Sequence, residues 1–221
     1  MILCIETSGK LCSIALVQHG EAIHYREHRE DGFSHIEQLH PMIKSMMDEV
    51  KVAGSDLTGI AVSGGPGSYT GLRIGVSAAK GLAFAWNLPL YAIPTLEILA
   101  QAAGTTDRVV VPMMDARRME VYTAAYRGDE VLLTPQSMIL DESSYTGLLG
   151  EQTALFLGDG VAKFQDICSV KNASFETNSV PDARHMAMIA QRHHDQNLQV
   201  DLAYYEPDYL KKFYTTAKKL A

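Results

Sequence analysis

The chain has 221 residues, 47% of them hydrophobic, and a formal charge of −7 from 19 basic and 26 acidic side chains. That length is enough for one large domain or two small ones with real cores. The acidic balance argues against a broad basic face for nucleic acid, and no apolar run reaches the roughly 18 residues of a membrane span. The three cysteines, Cys4, Cys12 and Cys168, lack CxxC spacing. They predict a reducing, cytoplasmic setting and argue against a disulfide framework or a structural zinc. Ile2-Leu3-Cys4-Ile5 opens the chain without a charged leader segment, so no secretory signal is expected.

The first 29 residues read as a three-strand meander. Ile2 to Glu6 is an apolar run, Ser8-Gly9-Lys10 turns, Leu11 to Gln18 alternates, and Glu21 to His28 returns after His19-Gly20. The first bend carries Glu6-Thr7-Ser8-Gly9. These are ordinary turn formers, but an acid with small hydroxyl residues at this bend is also how sugar-kinase and actin-like folds handle nucleotide phosphate.

A helix follows. Ser34 and Glu37 form an S-x-x-E capping box, and Ile36, Leu39, Ile43, Met46 and Val50 step by three and four. Met42 and Met47 flank this seam, and Pro41 predicts a kink within it. Such a helix can lie on its own sheet or pair with another chain. His35 and His40 are five apart and make a poor metal pair.

The centre of the sequence is an apolar run, Leu57 to Ser63, then a glycine loop, Gly64-Gly65-Pro66-Gly67-Ser68, then a helix over about Thr70 to Trp86. The loop lacks the Lys of a Walker motif and has one residue too many for a dinucleotide fingerprint. Along the helix Gly71, Gly75, Ala79 and Ala83 fall four apart. Each glycine costs about 1 kcal/mol against alanine, so close backbone approach must offset it. Leu72, Ile74, Val76, Leu82, Phe84 and Trp86 cover the other faces, which predicts burial on two sides.

Pro89 to Pro94 is a short strand, and Thr95 starts a short helix with Leu96 and Leu99. The small polar stretch Ala103 to Asp107 reads as a domain boundary, giving residues 1–104 and 105–221. The order so far, β-β-β-α-β-α-β-α, predicts a ribonuclease-H-like lobe. The second half starts with strands again: Val109 to Met113, Glu120 to Tyr126 and Val131 to Thr134, then a brief helix over Ser143 to Leu149 and a strand over Ala154 to Leu157. Gly158-Asp159-Gly160 turns, and a helix from Asp182 carries Ala183, Met186, Ala187, Ile189 and Ala190. The lysines at 211, 212, 218 and 219 make a small basic end.

Catalytic constellations are sparse. HExxH and GxSxG are absent, and His185 and His193 share a helix face without a clear carboxylate. Asp115, Arg117 and Arg118 sit in a charged turn. Nothing brings together a nucleophile, a base and an orienting group, so no catalytic or metal-binding residue is expected.

Several stretches together resemble the bacterial TsaB (YeaZ) family. They are Ile5-Glu6-Thr7-Ser8, Ser34-His35-Ile36-Glu37-Gln38-Leu39-His40-Pro41, Gly65 to Gly75, Asp115-Ala116-Arg117 with Glu120-Val121-Tyr122, and Pro207-Asp208-Tyr209-Leu210-Lys211. The GPGSYTGLRIG stretch is the most specific, and the resemblance covers nearly the full length in the right order. It departs at Glu6, where the family has Asp, and at Lys211, where Arg is usual. The second change loses a planar fork for bidentate contacts.

The resemblance implies an α/β, actin-like fold of the sugar-kinase and Hsp70 superclass, with two ribonuclease-H-like lobes. It implies a non-catalytic dimerisation subunit in making threonylcarbamoyladenosine at the tRNA adenosine after the anticodon. The chemistry would belong to a TsaD-like partner, with a TsaE-like ATPase joining and tRNA met only through the complex. A homodimer would form in isolation through the same face. That face would comprise Ile36, Leu39, Ile43, Met46, Met47, Gly71, Leu72, Gly75, Ala79, Leu82 and Ala83. Glu6, Thr7 and Ser8 would be the phosphate-binding group, with no firmly held cofactor and ATP or ADP at the complex interface. The competing expectation is an ATP-binding phosphotransferase or ATPase of the same superclass. It needs a second phosphate loop, for which Asp159-Gly160 is the nearest match.

Overall fold

A computed structural model describes residues 1–29 and 35–211. The first sheet is built from β1 (Ile2–Glu6), β2 (Leu11–Gln18), β3 (Glu21–Arg29), β4 (Gly59–Gly65) and β5 (Leu90–Pro94). Its helices are α1 (His35–Val50), α2 (Tyr69–Trp86) and α3 (Thr95–Ala100). The second sheet comprises β6 (Val109–Asp115), β7 (Glu120–Arg127), β8 (Glu130–Ile139), β9 (Ala154–Leu157) and β10 (Ala173–Glu176). The short helices α4 (Thr146–Leu149) and α5 (Ala162–Gln165) belong with it, and α6 (Ala187–Asp195) follows a 3-10 turn over Ala183–Met186.

The strand orders are β3-β2-β1-β4-β5 and β10-β9-β6-β7-β8. In each sheet an antiparallel three-strand meander is followed by two parallel strands. Each half therefore has the ribonuclease-H-like arrangement, and two such lobes make the actin-like α/β fold. The parallel strands β1 and β4 are buried throughout, as strands covered on both faces must be.

On one face of the first sheet, Leu3, Ile5, Ile14, Leu16, Ile60 and Val62 form a core with α1 and α2. On the other face Ile2, Cys4, Ala61, Tyr91 and Ile93 pack with Ile98 of α3 and with Ala183, Met186, Ile189 and Ala190. The expected second lobe, 105–221, is thus shorter than its sequence span. Residues 183–195 return to the first lobe because their apolar face completes that lobe's second layer. α3 lies between the sheets: Ile98 faces the first, while Leu96 and Leu99 meet Val110, Met114, Ala124 and Leu157 of the second.

Helix boundaries follow local chemistry. The Ser68 hydroxyl accepts from the Gly71 N–H at 3.2 Å and caps α2, and Asn87 ends it in the left-handed region at φ 53°. α1 runs unbroken through Pro41. The expected capping box falls on Ser34, which lies outside the described residues. β8 extends to Ile139, further than its sequence pattern indicated, and β10 was not foreseen; both are edge strands with mixed burial and no clean alternation.

The glycine ridge of α2 explains how these layers meet. A Cβ at Gly71 would lie 2.0 Å from the Thr7 carbonyl oxygen, and one at Gly75 would lie 2.2 Å from Thr7 Oγ1. Gly81, on the outer side of the same helix, has nothing within 4 Å. Gly71→Ala is therefore expected to destabilise the fold by at least ~2 kcal/mol through overpacking against backbone. Gly81→Ala is expected to stabilise it by about 0.5–1 kcal/mol through helix propensity. Urea unfolding of the two variants checks both signs.

Candidate functional site

The two helices expected to form a pairing face lie side by side on the first sheet, but most of the named residues face inward. Leu39, Ile43, Met46 and Met47 of α1 are buried in the chain's own core, as are Leu72, Ala79 and Ala83 of α2. Gly71 and Gly75 are buried against Thr7. These nine residues are corrected from interface to core. The a/d seam of α1 binds the sheet because that is the nearest apolar surface, and the small ridge of α2 admits the β1–β2 bend. Arginine at Ala79 would therefore test folding rather than pairing.

Two of the expected residues remain at the surface. Ile36 is 65% exposed, and Leu82 is half-buried. They line a groove of about 420 Å³ between α1 and α2 with His40, Ile74, Ser77, Ala78 and Gly81. Beyond it Phe84 stands 82% exposed on α2. The i, i+4 row Ile74-Ala78-Leu82, with Gly81 beside it, forms the α2 side of the groove. It could not be told from the core stripe because α2 is apolar on nearly every face.

The bend after β1 is closed. Glu6, Thr7 and Ser8 are all at most 1% exposed. The Ser8 N–H donates to Glu6 Oε1 at 2.6 Å, and the Thr7 hydroxyl donates to the Gly71 carbonyl at 2.8 Å. From above, the Ser68 N–H donates to the Ser8 carbonyl at 2.7 Å, and a Cβ at Gly67 would meet that oxygen at 2.6 Å. The glycine loop thus sits on the bend and closes these three residues off from solvent in this arrangement. His35, the first described residue of α1, adds a contact at 2.9 Å from its Nε2 to the Gly9 carbonyl.

The matching bend of the second lobe, between β6 and β7, is open and charged. Lys163 Nζ donates to Asp115 Oδ1 at 2.5 Å, as does the Arg117 N–H. Partial desolvation pushes the Asp115 carboxyl up, but these donors outweigh it and hold it below its usual range. Arg117 and Arg118 both adopt positive φ, 69° and 51°. Asp159 accepts from the Asp115 N–H at 2.8 Å, and Gly158 and Gly160 lie against the Met113 carbonyl. Asp159-Gly160 is thus a packing turn against β6, in the place the glycine loop holds in the first lobe. His185 and His193 are partly buried, and burial holds both imidazoles below their usual range. Among the described residues no group of three or more His, Cys, Asp or Glu could hold a metal ion, and no helix is long and apolar enough to cross a membrane.

Comparison with known proteins adds three kinds of likeness. A family model described as TsaD, tRNA N6-adenosine threonylcarbamoyltransferase, matches residues 31–218. The tRNA threonylcarbamoyladenosine biosynthesis protein TsaB of Bacillus subtilis (strain 168) is 38% identical over 133 residues. That match covers 60% of this chain and 57% of the relative, so it spans little more than half of each. The protein of the same name from Haemophilus influenzae is 29% identical over 98% of this chain and 96% of its own length. Among solved structures, YeaZ from Pseudomonas aeruginosa superposes with a TM-score of 0.79 at 28% identity, covering 94% of this chain and 99% of that one.

Glu6 gives the closed bend a measurable signature. Burial pushes its carboxyl from an ordinary 4.5 up to about 7, partly offset by hydrogen bonds from Ser8 and Ser63. Among the described residues no Lys or Arg pairs with it. The folded state therefore holds a proton that the unfolded chain releases, and this contribution to stability is lost as pH rises from 4.5 through about 7. The displacement corresponds to on the order of 3 kcal/mol. Glu6→Gln is expected to flatten this part of the profile and to be more stable than the parent at pH 8. Urea midpoints at pH 5 and pH 8 check it; parallel profiles for parent and variant would refute the assignment.

Proposed function

The chain belongs to the family described as TsaD, tRNA N6-adenosine threonylcarbamoyltransferase, and within it to the TsaB (YeaZ) proteins, and from that premise we propose that it takes part in tRNA threonylcarbamoyladenosine biosynthesis as a pairing subunit. Its partner is a TsaD-like subunit, which transfers threonylcarbamoyl to the tRNA adenosine. The observation that carries this reading is the exposed apolar groove between α1 and α2, lined by Ile36, Ile74 and Leu82. An apolar concavity between two helices, with large hydrophobic side chains left in water, gains free energy when another helical face covers it. The occupant with matching shape is the corresponding helix pair of the TsaD-like subunit or, without it, of a second copy of this chain. The two associations are therefore mutually exclusive.

A supporting rather than catalytic role agrees with the first-lobe bend. Glu6, Thr7 and Ser8 lie beneath the glycine loop, where no substrate reaches them in this arrangement. ATP or ADP then belongs at the interface of the assembled complex, where a TsaE-like ATPase joins, and tRNA is met through that complex. The unpaired Cys4, Cys12 and Cys168 fit a reducing, cytoplasmic setting.

Ile36 and Gly81 supply the test, because both are exposed and Gly81 has open space around it. Ile36→Asp combined with Gly81→Arg is expected to weaken pairing with the TsaD-like subunit about 100-fold or more, and to abolish the homodimer as well. The circular dichroism melt should stay close to that of the parent. Size exclusion with light scattering reads the outcome. A heterodimer that survives both substitutions in a folded chain would reject the groove as the interface.

A further inference from the structure

After α6 the chain crosses back over the first lobe and, at residue 211, reaches the second. The Val200 N–H donates to the Leu90 carbonyl at 2.9 Å, at the start of β5. Lys80 Nζ donates to the carbonyls of Ala203 and Tyr205 at 3.1 and 3.0 Å, which fixes the segment along α2. The Asp208 N–H then donates to the Gly64 carbonyl at 2.7 Å. Gly65, at φ +109°, is the seat: a Cβ there would lie 2.3 Å from the Asp208 carbonyl oxygen. Tyr209 follows, its ring 5.0 Å from that of Tyr69, with Arg73 4.2 Å over the Tyr69 ring.

Three residues after Asp208 the segment reaches the other lobe. Lys211 Nζ donates to the Ala116 carbonyl at 3.2 Å and pairs with Glu120, at the turn between β6 and β7. The far end of β7 is held independently. There Arg192 of α6, which packs on the first lobe, pairs with Asp129 at 2.8 Å in the β7–β8 turn and with Glu97 of α3. The second lobe is thus gripped at both ends of one strand by elements seated on the first, with α3 packed between the sheets.

We propose that residues 200–211 are a latch that fixes the angle between the two lobes, with the glycine loop as its seat and Lys211 as its catch. The same segment pins Gly64 and Gly65, and those residues begin the loop that covers Glu6, Thr7 and Ser8. One element therefore holds the lobes together and keeps the first-lobe bend shut. The Lys211–Glu120 pair is only partly exposed, at 33% and 23%, so it is screened less than a surface pair and its loss leaves Glu120 and the Ala116 carbonyl without their cation. With the catch gone, the remaining ties allow rotation about α3 and the Gly104–Asp107 connection. This inference is independent of the pairing groove, which lies on the other flank of α2.

Spin labels test the latch in the full chain. Labels are placed at Ser45→Cys in the first lobe and Glu142→Cys in the second, both exposed positions, with Cys168→Ser to remove the partly exposed native thiol. Excess unlabelled chain suppresses distances between copies. The parent is expected to give one narrow interlobe distance. Lys211→Ala is expected to broaden it about twofold, the behaviour of a freed hinge, while Lys211→Arg keeps it narrow. Amide exchange at residues 64–70 should rise in Lys211→Ala alongside the broadening. A Lys211→Ala variant that melts like the parent and keeps both the narrow distance and the protected loop would overturn the proposal.

Discussion

The fold depends on how closely α2 approaches the bend after β1. With Gly71 and Gly75 facing Thr7, the helix backbone comes within contact of the Thr7 carbonyl and hydroxyl. A methyl group at either position would force the helix away. That single approach sets the depth of the whole layer, because Val76, Ala79 and Ala83 on the same helix then reach Ile5 and Val62 of the sheet. It also explains why a helix with such poor intrinsic propensity at its start is tolerated: tertiary burial, not local preference, stabilises it.

Three surfaces of α2 follow from this placement. The small-residue side is spent on the sheet. A second side, Ile74, Ala78 and Leu82, turns toward α1 but is not filled by it, which leaves the groove. A third side, Tyr69, Arg73 and Lys80, receives the returning segment 200–211. The apolar remainder on the second side is why α2 reads as hydrophobic nearly all round although it is not a fully buried helix.

The two lobes share one strand order but use their bends differently. In the first lobe the glycine loop lies on Glu6, Thr7 and Ser8, and burial raises the Glu6 carboxyl to about 7. In the second lobe the corresponding bend faces water, and Asp115 is ionised beside Lys163. The difference lies in what covers each bend. The Gly64–Ser68 loop leads into the long helix α2 and is pressed down by Asp208. Gly158-Asp159-Gly160 leads into the four-residue α5 and is tied to β6 instead. The loop opposite each acidic bend therefore sets how far that bend is exposed.

Much of the architecture was determined by sequence alone. Alternation and tight turns set the meanders, the α1 seam set an amphipathic helix, and glycines four apart required a close backbone neighbour. These signals are local, and local sterics fix them. Which neighbour each face would find was decided only by the tertiary structure. Leu39, Ile43 and Met46 could satisfy a sheet or a partner equally well, since the hydrophobic effect is non-directional and a period of 3.6 marks a face without naming its occupant. The same holds for the segment after residue 183: its apolar stripe was legible, but its return to the first lobe depends on a second sheet face left uncovered by α1 and α2. The groove, the closed bend and the Lys211 contact bring together residues far apart in the sequence. Only the packed fold supplies those distances.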